Sequence, residues 1–135
     1  MKQKTAETLF EPEDIVLEGS TEHFVQEKVP AYEAIPLVGD MMKNLVVTLP
    51  QETIAKLLSY VYVEIGGQYV ALDNAVVVNQ HVKDPYWLYV LYFSVVKRNF
   101  SFLTDGRLQK LLEMVAPPKN ENSDDENTAT ETSQG

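Results

Sequence analysis

The residues that could do chemistry are few. Histidine occurs only at His23 and His81, and cysteine is absent, which removes disulfides and thiolate metal ligands. His81 and Asp84 stand three residues apart, a spacing that would put both on one helical face as a metal pair. No third ligand follows at a matching spacing, and His81 reads more simply as a residue capping or packing near a turn. Gly66-Gly67 has neither the glycine spacing nor the Lys-Ser/Thr of a phosphate loop, so it reads as a turn. Ser20, Ser59, Ser94, Ser101 and Ser123 lie in no nucleophile-elbow context. Glu52, Glu64, Asp73 and Asp84 could pair as acid and base, but no spacing singles out two of them. Scattered carboxylates in an acidic chain are normally solvated. The expectation is a protein without catalytic, cofactor or metal-binding residues, and not an enzyme.

Tyrosine is a different matter. Tyr60, Tyr62, Tyr69, Tyr86, Tyr89 and Tyr92 offer large apolar area with a polar tip, a chemistry enriched at protein interfaces. Three of them fall in the densest apolar run of the chain, Asp84 to Phe100, which also holds the only Trp, Trp87. Asp84 can accept from the free N–H groups of a first helical turn, and Pro85 suits the first helical position. Leu88, Leu91, Tyr92, Val95 and Val96 recur at three- and four-residue spacing. Tyr86, Tyr89, Val90 and Phe93 widen that face, and Lys97 and Arg98 suit the negative end of the helix dipole. A helix apolar nearly all round is buried in a fold or against another chain.

Around this helix the other elements are weaker. Residues 1–22 are polar and acidic and read as a partly ordered terminus, with Leu9-Phe10 and Ile15-Val16-Leu17 as apolar islands that could form edge strands or dock on a partner. The alternation from Glu22 to Val29 predicts one strand. A helical pattern follows Pro30 through Ala31, Ile35, Leu37, Val38, Met41, Met42 and Leu45. Pro36 places the start of its regular part at Pro36, and the methionine pair reads as core filling. Ile54, Leu57, Leu58 and Val61 form the stripe of another helix. Residues 60–72 admit two readings, a helix continuing to Gly66-Gly67 or a hairpin around that turn. The favoured compromise is a helix to about Tyr62 and then a short hairpin. Asp73-Asn74 is a turn or cap, Ala75 to Val78 a short β-branched run, and Arg107 to Val115 a last helix with Leu108, Leu111, Leu112 and Val115 on one side. Ala116-Pro117-Pro118 ends regular structure, and residues 119–135 carry no Leu, Ile, Val, Phe, Tyr or Trp, so the tail is expected to be disordered.

The fold class expected is therefore α+β, mainly α. It would be a small helical domain at 23–116 with a short N-terminal strand and a possible hairpin, between an acidic segment at 1–22 and an acidic tail at 117–135. A formal charge of −9 argues against nucleic acid, which is bound through clustered Lys and Arg, and against an anionic membrane surface. The start lacks the apolar core of a signal peptide, and the charged residues flanking the central helix leave too short an apolar run for a membrane span.

Taken together, the segment His23-Phe24-Val25-Gln26-Glu27-Lys28-Val29-Pro30-Ala31-Tyr32-Glu33-Ala34-Ile35, a helical middle, the exit Val95-Val96-Lys97-Arg98-Asn99-Phe100-Ser101-Phe102-Leu103 and a polar C-terminus resemble the tail assembly chaperones of tailed bacteriophages. The resemblance covers roughly residues 22–115 and is a pattern of elements rather than a signature motif. It implies a small, mostly helical protein that coats the tape measure protein, keeps it soluble and gives way to tail tube protein. It also implies residence in the host cytoplasm and absence from the mature virion. The partner surface expected on this basis comprises Tyr86, Trp87, Tyr89, Val90 and Phe93 with Val38, Met41 and Met42, and self-association into a homo-oligomer is compatible with it. The alternatives are a structural virion or tail-completion component, or a small adaptor or inhibitor of a host protein.

Overall fold

The N-terminal segment folds into a sheet. A computed structural model describes residues 3–44, 48–103 and 105–115, without the side chains of Leu108, Leu111, Leu112 and Val115. Strand β1 (Gln3–Lys4) is followed by a 3-10 turn at Ala6–Thr8, β2 (Glu13–Ile15), β3 (Phe24–Gln26), helix α1 (Ala31–Lys43), α2 (Gln51–Leu58), β4 (Val61–Ile65), β5 (Gln68–Ala71), α3 (Ala75–His81), α4 (Pro85–Asn99), a 3-10 turn at Ser101–Leu103 and α5 (Arg107–Val115). Residues up to Leu103 form one unit, and α5 belongs to a second. The acidic tail, the inward stripe expected on the last helix, and Leu45 lie outside the described residues.

The five strands make one sheet in the order β1-β5-β4-β3-β2, with every neighbouring pair antiparallel. This overturns the expectation of a mainly helical domain with a short strand. Four of the five strands have only two to four residues, too short for a period of two to emerge. Their partners are also remote in sequence: Glu13 faces Gln26, Gln26 faces Val61 and Gln3 faces Val70.

The boundaries around the hairpin are corrected as well. Helix α2 stops at Leu58, not near Tyr62, and Tyr62 belongs to β4. Gly66 and Gly67 both adopt positive φ, 57° and 85°, as the tight turn of a two-residue hairpin requires. Helix α1 begins at Ala31 rather than Pro36, and Pro36 lies inside it. The proline withdraws one main-chain donor, and the residue four before it, Tyr32, stands in solvent, where water can satisfy its carbonyl. The β-branched run Val76-Val77-Val78 is helical because Asn74 Oδ1 accepts from Val77 N at 3.1 Å and starts α3.

The pleat sorts the sheet into two faces. Ile15, Phe24, Val61, Val63, Val70 and Leu72 join Leu37, Met41, Leu57, Leu91 and Val95 from the helices, and Phe100 just past the end of α4, in the main core. Each such side chain contributes about 1.5–3 kcal/mol through burial. The opposite face carries a small cluster of Val25, Tyr62 and Ala71, capped by Leu9 of the N-terminal segment. Helix α4 runs from the expected cap, with Asp84 Oδ1 accepting from Tyr86 N at 2.9 Å, to Asn99. Asn99 Oδ1 accepts from Val29 N at 3.0 Å and so ties the end of the helix to the chain leaving β3.

Candidate interaction surfaces

The pair weighed as metal ligands, His81 and Asp84, is held apart. His81 Nδ1 lies 2.7 Å from Glu22 Oε1, while Asp84 caps α4, so the two do not converge. Among the described residues no group of three or more His, Asp or Glu is arranged to hold a metal. Nor is any helix there long and apolar enough to cross a membrane.

Two polar networks occupy the sheet face opposite the main core. In the first, Glu27 is buried. It accepts from Lys4 Nζ at 2.6 Å, Phe10 N at 2.9 Å and Tyr62 Oη at 2.8 Å. Burial disfavours its charge, but these three donors outweigh burial and hold the carboxyl below the ordinary glutamate value. The same burial and the same carboxylate push the Tyr62 hydroxyl far above the ordinary tyrosine value.

In the second network His23 sits between carboxylates of two strands, Nδ1 at 2.8 Å from Glu64 Oε1 and Nε2 at 2.9 Å from Asp14 Oδ1. Both ring nitrogens donate only in the imidazolium form. The hydrogen bonds to Glu64 and Asp14 accordingly raise its pKa. No sequence signal marks His23, because Asp14 and Glu64 become its neighbours only when the sheet forms.

The expected partner residues divide into an interior and an exterior set. Met41 is core. Trp87, Tyr89, Val90 and Val38 pack partly against the core, and a Cβ added at Gly19 would lie 3.7 Å from the Trp87 ring. Tyr86, Phe93 and Met42 are exposed. Tyr86, Tyr89 and Phe93 share one face of α4 by spacing, and the Tyr89 and Phe93 rings stack at 5.5 Å and 9°.

Helix α1 adds Tyr32 and Ile35, which the sequence left unassigned to a partner surface, to the expected Met42. With Leu37 and Met41 turned inward, Tyr32 (88 % exposed), Ile35 (64 %) and Met42 (50 %) form a second, outward apolar stripe. Beside it runs a mostly apolar cleft of about 400 Å³ lined by Phe10, Val29, Ala34, Ile35, Val38 and Phe100. The signal was present in the spacing 32, 35, 42, but separating two apolar faces of one helix requires knowing which one the sheet covers. Comparison with known protein families, curated proteins and solved structures finds no match to this chain.

Proposed function

We propose that this protein is a protein-binding module and, within that class, a tail assembly chaperone that holds the tape measure protein soluble until tail tube protein replaces it. The observation that carries the reading is the apolar stripe Tyr32, Ile35 and Met42 left in solvent along α1, with an apolar cleft beside it. Isolated exposed apolar residues are ordinary, whereas an aligned stripe bordering a cleft suits a helix laid into a groove. The aromatic face of α4, with Tyr86, Tyr89 and Phe93, supplies a second surface of the same character. A tape measure protein is long and helical and shows apolar faces before the tube encloses it. The charge of −9 on the chaperone would keep such a complex soluble.

The test is co-expression with the product of the gene immediately downstream, which this reading expects to be long and rich in coiled coil. A soluble complex that survives size-exclusion chromatography and is displaced by tail tube protein is the expected outcome. A tape measure protein that stays insoluble, or the small protein recovered in finished particles, contradicts it.

A further inference from the structure

We infer that the outward stripe of α1 is covered, in the free protein, by the same stripe of a second copy of this chain running the opposite way. The stripe is the one proposed to bind a partner helix, yet this pairing holds whatever that helix is. It shields the apolar face until another apolar helix competes for it.

Gly39 stands inside α1 on its exposed side, where glycine weakens a helix relative to alanine. Nothing within the fold requires it there. Its φ is not positive, and an added Cβ would meet no described atom within 4 Å beyond the neighbouring helix backbone. Tyr32, Ile35, Gly39 and Met42 follow one another at three, four and three residues, the spacing of a helix–helix seam. Gly39 is therefore a hole in the middle of a bulky seam. Such a hole takes a large side chain from a second helix.

The stripe is its own complement. Ile35 and Gly39 are centred on the height of Leu37, and so are Tyr32 and Met42. About a two-fold axis at that height, antiparallel copies place each Ile35 over the other's Gly39 and each Tyr32 ring over the other's Met42. The charges agree with this direction. Glu33 lies in the first turn of α1 and Lys43 in the last, both exposed. In antiparallel register the two come within about 3 Å of each other along the helix axis, one from each copy. Glu33 Oε1 accepts from Tyr60 Oη at 2.6 Å, which leaves the carboxylate capacity for a second donor. A parallel pair would set Glu33 against Glu33 and Lys43 against Lys43, which repel. One helix pair of this length falls short of the roughly 1,200 Å² of a stable interface, so the dimer is weak enough to be displaced.

The experiment is sedimentation equilibrium of the full chain at about 0.15 M salt, where repulsion between two copies of charge −9 is screened beyond about 8 Å. A reversible monomer–dimer equilibrium in the micromolar range is expected. Gly39→Gln should weaken it at least about tenfold. At dilutions where both proteins are monomeric, the same variant should melt higher, because glutamine is the better helix former. Lys43→Glu should weaken pairing too, and adding Glu33→Lys should restore it. In a mixture of carbon-13-labelled and unlabelled chain, isotope-filtered NOEs should join the Met42 methyl to the Tyr32 ring. Within one helix those two positions lie about 15 Å apart, so the contact can come only from the second copy. A chain that stays monomeric, a dimer that Gly39→Gln leaves as tight, or NOEs joining Met42 to Met42 would each overturn the inference, the last in favour of a parallel pair. A dimer that passes these tests yet ignores the tape measure protein supports the inference and overturns only the proposed function.

Discussion

Tyr62 of β4 donates to Glu27 at 2.8 Å on the sheet face turned away from the main core, a side-chain tie between the hairpin and the chain leaving β3 that adds to the main-chain bond from Glu27 N to Tyr60 O. Lys4 and the Phe10 amide converge on the same carboxylate, so the N-terminal segment is fastened there too. Glu27→Ala leaves the Tyr62 hydroxyl and the Phe10 amide without their acceptor. The expected loss is roughly 2–4 kcal/mol, read as a lower urea midpoint.

The pH dependence at Glu27 has a definite sign. Its folded pKa lies below the ordinary glutamate value of 4.5, so its contribution is full above that value and is lost as pH falls through the lower folded one. Urea titrations from pH 7 down to acid should show wild type converging on Glu27→Gln at low pH.

His23 acts in the opposite sense. Its pKa is raised above 6.5 by the hydrogen bonds to Glu64 and Asp14. The clamp between β2 and β4 is therefore complete below 6.5 and fades as pH rises through the folded value. Denaturation of wild type and His23→Gln across that window should give midpoints that differ at the acid end and merge at the alkaline end. Histidine NMR titration should return a pKa above the ordinary value.

The helices were largely legible in the sequence and the sheet was not, and the contrast has a physical basis. Helix α4 declares itself locally: Asp84, Pro85, the spacing Leu91, Tyr92, Val95, Val96 and the basic pair Lys97-Arg98 all lie within one stretch, and each acts on near neighbours. Strand β1 consists of Gln3 and Lys4, and nothing in those two residues announces that they pair with Val70 and Tyr69. For the hairpin, the local pattern supported helix and strand alike until β3 supplied Val61 and Val63 with a partner strand. The partner surface was half visible. Tyr86, Phe93 and Met42 face solvent, Met41 fills the core, and Trp87 packs beside Gly19 because the turn after Leu17 closes over it.

The α4 cap gives a simple check on the local reading. Asp84→Ala removes the acceptor for Tyr86 N and should cost about 1 kcal/mol. For a domain near one hundred residues that is a fall of about 4–8 °C in melting temperature. Asp84→Asn should recover most of it, since the amide oxygen still caps.

Binding of a partner's apolar helical face by the outward stripe of α1 is tested most directly by Ile35→Asp. Ile35 is exposed, so the variant should fold with an unchanged circular dichroism spectrum and melting temperature. The measurement is its affinity for the co-expressed tape measure protein, by calorimetry or co-purification. A loss of at least about tenfold, on the order of 1.4 kcal/mol, with the fold intact is the predicted result. Undiminished binding by a folded Ile35→Asp protein would contradict the account.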